Sequence, residues 1–312
     1  MSGFPKSETI WFNGSFVPWD EARVHVLAHG LQYGTGVFEG IRSYDTPDGP
    51  AIFRLDAHMR RLFESAAMYE LEIPYSYDEL FAATLELVRR NRLANAYIRP
   101  VVLVDAYTLN LWPKGSPISV AIAGFAKGAY LEGALELGAR VTISSIRKFD
   151  SSAIPSTGKA CGQYINSVRA VQEAIARGFD EAILLNRDGD VAEGSGENLF
   201  VVKDGELLTN AADASILMGV TRDAVVTIAR DLGLPVRVGP ISVQALLTAD
   251  ELFFTGTAAE VTPVREIDGR SVGIGRRGPI TERVQTRFFE VVSGRRAEYR
   301  HWLAYANAAV SA

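Results

Sequence analysis

The chain has 312 residues, 47% of them hydrophobic and 22% charged, proportions that exclude a disordered or fibrous protein and suit one large or two packed domains. A net charge of -5 with scattered basic residues excludes an electrostatic footprint for nucleic acid, and Arg89-Arg90-Asn91-Arg92 reads as the solvated end of a helix. The single cysteine, Cys161, excludes an internal disulfide framework and a cysteine-based zinc site. Four histidines, His25, His29, His58 and His301, are too few and too poorly spaced for a metal centre. No stretch is apolar enough to span a membrane and the start at Met1 carries no targeting pattern, so a cytoplasmic location is the default expectation.

In chain order, Thr9 to Val17 places two apolar runs around Asn13-Gly14, a hairpin signal. Residues Asp56 to Leu71 set Met59, Leu62, Phe63, Ala66 and Tyr69 at helical spacing, with Asp56 as the expected N-cap. Ser76-Tyr77-Asp78-Glu79 has the form of a capping box opening a second helix that ends near Asn91. Strands are expected from Tyr97 to Val104 and from Ile118 to Phe125. A domain boundary falls near residue 130, which gives a smaller N-terminal domain at 1–125, a linker at 126–138 and a larger domain at 139–312.

The second half restarts with a strand at Ala139 to Ile143. A helix from Gln163 to Arg177 carries Ile165, Val168, Gln172 and Ile175 on one side and stops at Gly178. Antiparallel hairpins turn at Arg187-Asp188-Gly189 and Lys203-Asp204-Gly205. A helix runs from Thr221 to Leu232, and a strand follows at Glu251 to Phe254. The pattern is α+β rather than a strict alternation of strand and helix.

Two segments carry the chemical signal. Lys159 lies in Ile154-Pro155-Ser156-Thr157-Gly158-Lys159-Ala160-Cys161-Gly162, among small and polar neighbours rather than on a charged helix face. Glu193 opens the glycine-rich Glu193-Gly194-Ser195-Gly196-Glu197-Asn198-Leu199-Phe200. A lysine that attacks a carbonyl needs small neighbours, partial desolvation and a partner that controls its charge. Gly219-Val220-Thr221-Arg222 opens a helix, and Gly256-Thr257-Ala258-Ala259 follows a strand; either could meet a phosphate or end an element with a plain cap or turn. Gly34-Thr35-Gly36-Val37-Phe38-Glu39-Gly40 does not have the dinucleotide spacing, and its glycines are expected to let backbone or ligand approach closely. A lysine, a carboxylate, a phosphate cup and a phenol such as Tyr164 form the inventory that pyridoxal phosphate chemistry requires.

Together with Ile10-Trp11-Phe12-Asn13-Gly14, Tyr33 to Arg42, Tyr97-Ile98-Arg99-Pro100 and Gly256 to Val264, these motifs resemble the class IV aminotransferases, and most closely the branched-chain amino-acid aminotransferases. The resemblance covers nearly the whole chain. It implies a two-domain fold type IV enzyme like D-amino acid aminotransferase in architecture, with pyridoxal 5'-phosphate as cofactor, no metal, and at least a homodimer. It implies Lys159 as the internal aldimine and proton carrier. Glu193 would hold the ring nitrogen's proton, Tyr164 the ring oxygen, and Leu217 would pack on the ring. Arg61, Gly219, Val220, Thr221, Gly256 and Thr257 would complete the cofactor site. Tyr33, Phe38, Tyr97, Arg99, Lys127, Tyr130, Thr257 and Ala258 would meet the substrate.

The reaction so implied moves an amino group from L-branched-chain amino acids to 2-oxoglutarate. Two departures bear on the substrate. Phe125-Ala126-Lys127-Gly128 stands where branched-chain enzymes often carry a Phe-Pro-Trp-Gly-like run, and the loop from Asp105 to Pro113 lacks the family's glycine-methionine-glycine turn. Tyr107, Leu109, Leu111 and Trp112 either rebuild the lost aromatic wall or pack an interface. The alternatives are a class IV transaminase acting on D-amino acids or (R)-primary amines, and a lyase of the aminodeoxychorismate type.

Overall fold

Asn13 and Gly14 both take positive φ, 48° and 90°, and strands Thr9–Phe12 and Ser15–Pro18 pair antiparallel across them, as the Asn-Gly signal requires. The computed structural model describes residues 5–127 and 133–307. The expected linker lies partly, and Tyr130 wholly, outside these residues. The chain divides into two units: Met1–Gly128 with Gly158–Gln163 and Glu290–Ala312, and Ala129–Thr157 with Tyr164–Phe289. The sequence predicts a second domain unbroken from 139 to 312. The chain instead returns twice to the first unit, because Leu303–Tyr305 pairs with Ala51–Phe53 and Ala160 bridges to Val37.

In the first unit the described strands form an eight-stranded sheet in the order Leu303–Tyr305, Ala51–Phe53, Ile41–Tyr44, Ala96–Val104, Ile118–Ala126, Thr9–Phe12, Ser15–Pro18, with Gly36–Phe38 also paired to Ala96–Val104. Helices Leu55–Met68 and Tyr77–Arg90 bury Met59, Leu62, Leu80 and Leu87 in one core with Ile41, Ile98 and Ile122. Each such fully buried side chain contributes about 1.5–3 kcal/mol. The capping box is present: Glu79 N donates to Ser76 Oγ and Ser76 N to Glu79 Oε2. Asp56 is not an N-cap. Arg54, in the left-handed region, occupies that position, and Asp56 in the first turn instead pairs with Arg60 and accepts from Tyr77 Oη.

In the second unit the described strands form a nine-stranded mixed sheet in the order Val191–Gly194, Glu181–Leu185, Ala139–Ile143, Glu260–Ile267, Glu251–Gly256, Asn198–Lys203, Glu206–Thr209, Val236–Val238, with Arg270–Ser271 on Glu260–Ile267. Both expected hairpins form, the second across Asp204 and Gly205, each at positive φ. Phe200 and Phe253 sit opposite each other on two neighbouring central strands and stack with ring centroids 4.9 Å apart.

Helix Tyr164–Ala176 turns the opposite face inward from the one expected. Ile165, Val168 and Ile175 are exposed, whereas Ala170 and Ala174 pack with Ala182 and Leu184. The small alanines make the helix face that fits against the strand Glu181–Leu185.

Candidate active site

The first unit presents Lys159 from a short segment fastened at several points. Phe38 N donates to Lys159 O at 3.0 Å, Lys159 N donates to Ser65 Oγ at 3.0 Å, and Gly162 N donates to Gly34 O at 3.2 Å. Gly34 has φ +69°, and a Cβ there would lie 2.7 Å from Gly162 Cα, so only glycine permits this approach. The close-approach role expected of the Gly34 to Gly40 glycines is realised here. Gly40 acts similarly, since its Cβ would fall 2.0 Å from Tyr97 Oη.

Burial, followed by the charge of Arg61, lowers the Lys159 pKa from 10.5 to about 8, against the opposing pull of Glu39. Near neutral pH such a lysine carries a far larger share of free amine than one at the surface. Its Nζ lies 4.9 Å from the Phe38 ring centroid. Arg99 sits 4.5 Å from the same ring and donates to Tyr97 Oη at 3.0 Å. Lys127 Nζ lies 5.0 Å from the Tyr97 ring. Thus Lys159, Phe38, Tyr97, Arg99 and Lys127 form one cluster. Tyr33 stands apart: it is 41% exposed, and its ring lies 4.6 Å from that of His29.

Near Lys159 is a buried ionic group in which the expected cofactor residue Arg61 is joined by Glu39 and His58, neither of which the sequence singled out for the site. Arg61 Nε and Nη2 donate to Glu39 Oε1 and Oε2 at 2.6 and 2.9 Å, and His58 Nδ1 lies 2.7 Å from Oε2. Burial works to raise the Glu39 pKa, but Arg61 and His58 together hold its carboxyl well below the ordinary range. Burial likewise lowers the His58 pKa and outweighs the raising effect of Glu39. The available signal was a glutamate inside the apolar run Val37 to Ile41. His25 and His29 serve packing and hydrogen bonding: the His25 ring lies tilted against Tyr107, and His29 Nδ1 meets Thr35 Oγ1 at 2.6 Å. Among the described residues no group of metal-ligating side chains forms.

In the second unit Glu193 is the hub. Its Oε2 accepts from Asn198 Nδ2 at 3.2 Å and from Leu217 N at 3.1 Å, and Asn198 Nδ2 also donates to Leu217 O at 2.8 Å. The spacing from Glu193 to Asn198 thus ties the glycine-rich bend to the segment before the next helix. Lys148 Nζ lies 2.6 Å from Glu193 Oε1, with both side chains under 10% exposed. Sequence reasoning missed Lys148, which resembles a solvated lysine beside Arg147.

Gly219 is the N-cap of helix Val220–Asp231, with no side chain capping the N–H groups of Val220, Thr221 and Arg222. A Cβ on Gly219 would lie 2.0 Å from Asn198 Oδ1. Thr221 is therefore not the cap but a buried residue of the first turn. Thr257 and Ala258 lie half-buried in the turn after strand Glu251–Gly256, whose Gly256 approaches Gly196 O. Tyr164, half-buried, opens its helix.

Residues 36–267 match the family model described as Amino-transferase class IV. This chain belongs to the class IV aminotransferases, and its α+β fold is of that family's two-domain type IV. The branched-chain-amino-acid aminotransferase of Pseudomonas aeruginosa is 47% identical over 303 residues, covering 97% of this chain and 98% of the relative. The crystal structure of the T.th. branched-chain amino acid aminotransferase with pyridoxamine 5'-phosphate superposes with a TM-score of 0.94 at 48% identity, covering 97% of this chain and 99% of that one. The same enzyme complexed with N-(5'-phosphopyridoxyl)-L-glutamate gives 0.93 at 46%, with coverage of 97% and 99%.

Proposed function

We propose that this chain is a pyridoxal 5'-phosphate-dependent branched-chain amino-acid aminotransferase that moves the amino group of L-leucine, L-isoleucine or L-valine to 2-oxoglutarate. The observation that carries the reading is Lys159, a half-buried lysine whose pKa is lowered to about 8, on a segment pinned by Phe38 and Ser65. The comparisons support the branched-chain donor and favour neither the D-amino-acid or amine alternative nor the lyase.

The donor sets fit the cofactor. The first turn of helix Val220–Asp231 offers backbone N–H groups without a side-chain cap, suited to a phosphate. Glu193 accepts three hydrogen bonds from described residues, and a carboxylate has about four lone-pair sites, so one more donor fits. When bound, pyridoxal phosphate supplies a carbonyl that takes up the amino group and a ring that takes up electrons from the substrate Cα.

In the first unit, Lys159 Nζ would hold the cofactor and would carry the proton between the substrate Cα and the adjoining carbon. Arg61, held in orientation by Glu39, contributes positive charge toward the phosphate. Phe38 and Tyr97 give the branched side chain apolar faces, and Arg99 meets the distal carboxylate of the acceptor. Tyr33, which stands apart from this cluster, and Tyr130 belong to the substrate-contacting set only as the family resemblance implies them. In the second unit, Glu193 keeps the proton on the ring nitrogen, Tyr164 hydrogen-bonds the ring oxygen and Leu217 packs on the ring. Gly219, Val220, Thr221, Gly256 and Thr257 hold the phosphate, while the amides of Thr257 and Ala258 meet the substrate α-carboxylate.

The assembly in this reading is at least a homodimer. Exposed Tyr107, Leu109, Leu111 and Trp112 support it, since large apolar groups clustered on a surface mark an interface. A cytoplasmic location belongs to the same proposal; among the described residues no helix is long and apolar enough to cross a membrane.

The test is to follow the bound cofactor's visible absorbance with L-leucine, D-alanine and an (R)-arylamine in turn. Conversion by L-leucine is expected. Conversion only by D-alanine or the amine would overturn the donor assignment.

A further inference from the structure

Two aromatic rings each hold two cations in the first unit. Phe38 has both Lys159 and Arg99 near its ring, at 4.9 and 4.5 Å, and Tyr97 has both Arg99 and Lys127 near its ring, at 5.2 and 5.0 Å. The order Lys159, Phe38, Arg99, Tyr97, Lys127 leads from the amine to a second, strongly cationic end. Arg42, itself buried, donates from Nη2 to Lys127 O at 3.1 Å and fixes that end. Arg99 Nε is buried and has no hydrogen-bond partner among the described residues. A buried guanidinium N–H left unsatisfied is costly, and a planar carboxylate is its natural acceptor.

The carboxylate that Lys159 feels, Glu39, is engaged by Arg61 and His58. Burial and then the charges of Arg42 and Arg99 hold Lys127 below its ordinary pKa. An anion entering this end would relieve the mutual repulsion and give Arg99 Nε an acceptor.

We propose that Lys127 is a specificity-determining residue which, with Arg99, receives the distal carboxylate of a dicarboxylic amino acid or 2-oxo acid. The inference rests on the transamination reading above, which places the reacting Cα at Lys159, and adds to it a second cation for the acceptor's far end. A branched, monocarboxylic substrate gains nothing from Lys127 and meets the faces of Phe38 and Tyr97 instead. One pocket thus takes both partners, the dicarboxylic one by charge and the branched one by aromatic contact.

The experiment compares the parent holoenzyme with Lys127→Met, Lys127→Gln and Lys127→Arg in half-reactions with L-glutamate and L-leucine. Inhibition by glutarate and by 4-methylvalerate, one diacid and one monoacid, is measured in parallel. A charged hydrogen bond contributes enough that its loss lowers the glutamate-to-leucine ratio of kcat/KM by about tenfold. Both neutral variants are expected to show that fall, chiefly through a raised KM for glutamate, and to weaken glutarate far more than 4-methylvalerate. Lys127→Arg is expected to hold the parent ratio. A fall of less than about threefold in both neutral variants, with glutarate inhibition unchanged, overturns the inference while leaving the transaminase reading intact. A parent that converts neither amino acid overturns that reading and this inference with it.

Discussion

Lys148 Nζ and Glu193 Oε1 form a buried ion pair 2.6 Å long, on a carboxylate whose other oxygen accepts from Asn198 and from the backbone of Leu217. These partners on both oxygens fix the orientation of the Glu193 carboxylate. Removing one partner of a buried pair leaves the other charge without compensation and costs about 3–5 kcal/mol. Lys148→Met should lower the thermal midpoint accordingly, and adding Glu193→Gln should restore part of the loss. Thermal melts of the two single variants and the double variant check this, and strict additivity would show that the pair is not coupled.

Gly219→Ala should disturb the same network from the other side. The glycine has an ordinary φ of -67°, so the effect arises from the added Cβ, which would press on Asn198 Oδ1. Overpacking of this kind costs about 1–3 kcal/mol. Urea denaturation measures the loss, and cofactor titration should show weaker binding as Asn198 leaves Glu193 and Leu217. A variant as stable as the parent and equally tight for cofactor would contradict the role given to this contact.

Acid should act through Glu39 and His58. His58 is held below its ordinary 6.5, so the unfolded chain takes up a proton that the folded one refuses as pH falls through 6.5. Glu39 is held below its ordinary 4.5, so its contribution is present above that value and is lost progressively below it. Both effects have the same sign, and stability should decline from pH 6.5 downward. Glu39→Gln should lower stability at neutral pH and flatten the decline below 4.5, as read by denaturation at stepped pH.

How much of this was legible in the sequence depended on the kind of signal. Asn13-Gly14 and Ser76 to Glu79 are local devices, and the hairpin and capping box they announce are present. The small company of Lys159 and the glycines beside Glu193 stood out because neither suits an amphipathic surface. Lys148 gave no such sign, since its partner lies far along the chain and a lysine beside an arginine reads as solvated. Periodicity located helix Tyr164–Ala176 but not its inward face, because alanines rather than isoleucines pack against the sheet. The return of the chain to the first unit rests on a three-residue strand at Leu303–Tyr305, too short to carry a periodic pattern.

Lys159 makes a further prediction for the cofactor-free protein. Its pKa is lowered from 10.5 to about 8, so below pH 8 the folded state bears the cost of a charge that the unfolded chain carries in water. As pH rises from 8 toward 10.5 that cost disappears. Lys159→Met should therefore stabilise the cofactor-free protein at pH 7, with the advantage shrinking at alkaline pH in parallel melts. An equal or lower midpoint at pH 7 would contradict the desolvated state of this amine.

The most direct test of the central claim is borohydride reduction of the holoenzyme followed by peptide mapping. The expected result is that the reduced cofactor is fixed to the peptide containing Lys159, and that Lys159→Ala abolishes both the label and turnover. Label on Lys127, Lys148 or another lysine, or turnover retained by Lys159→Ala, would contradict it.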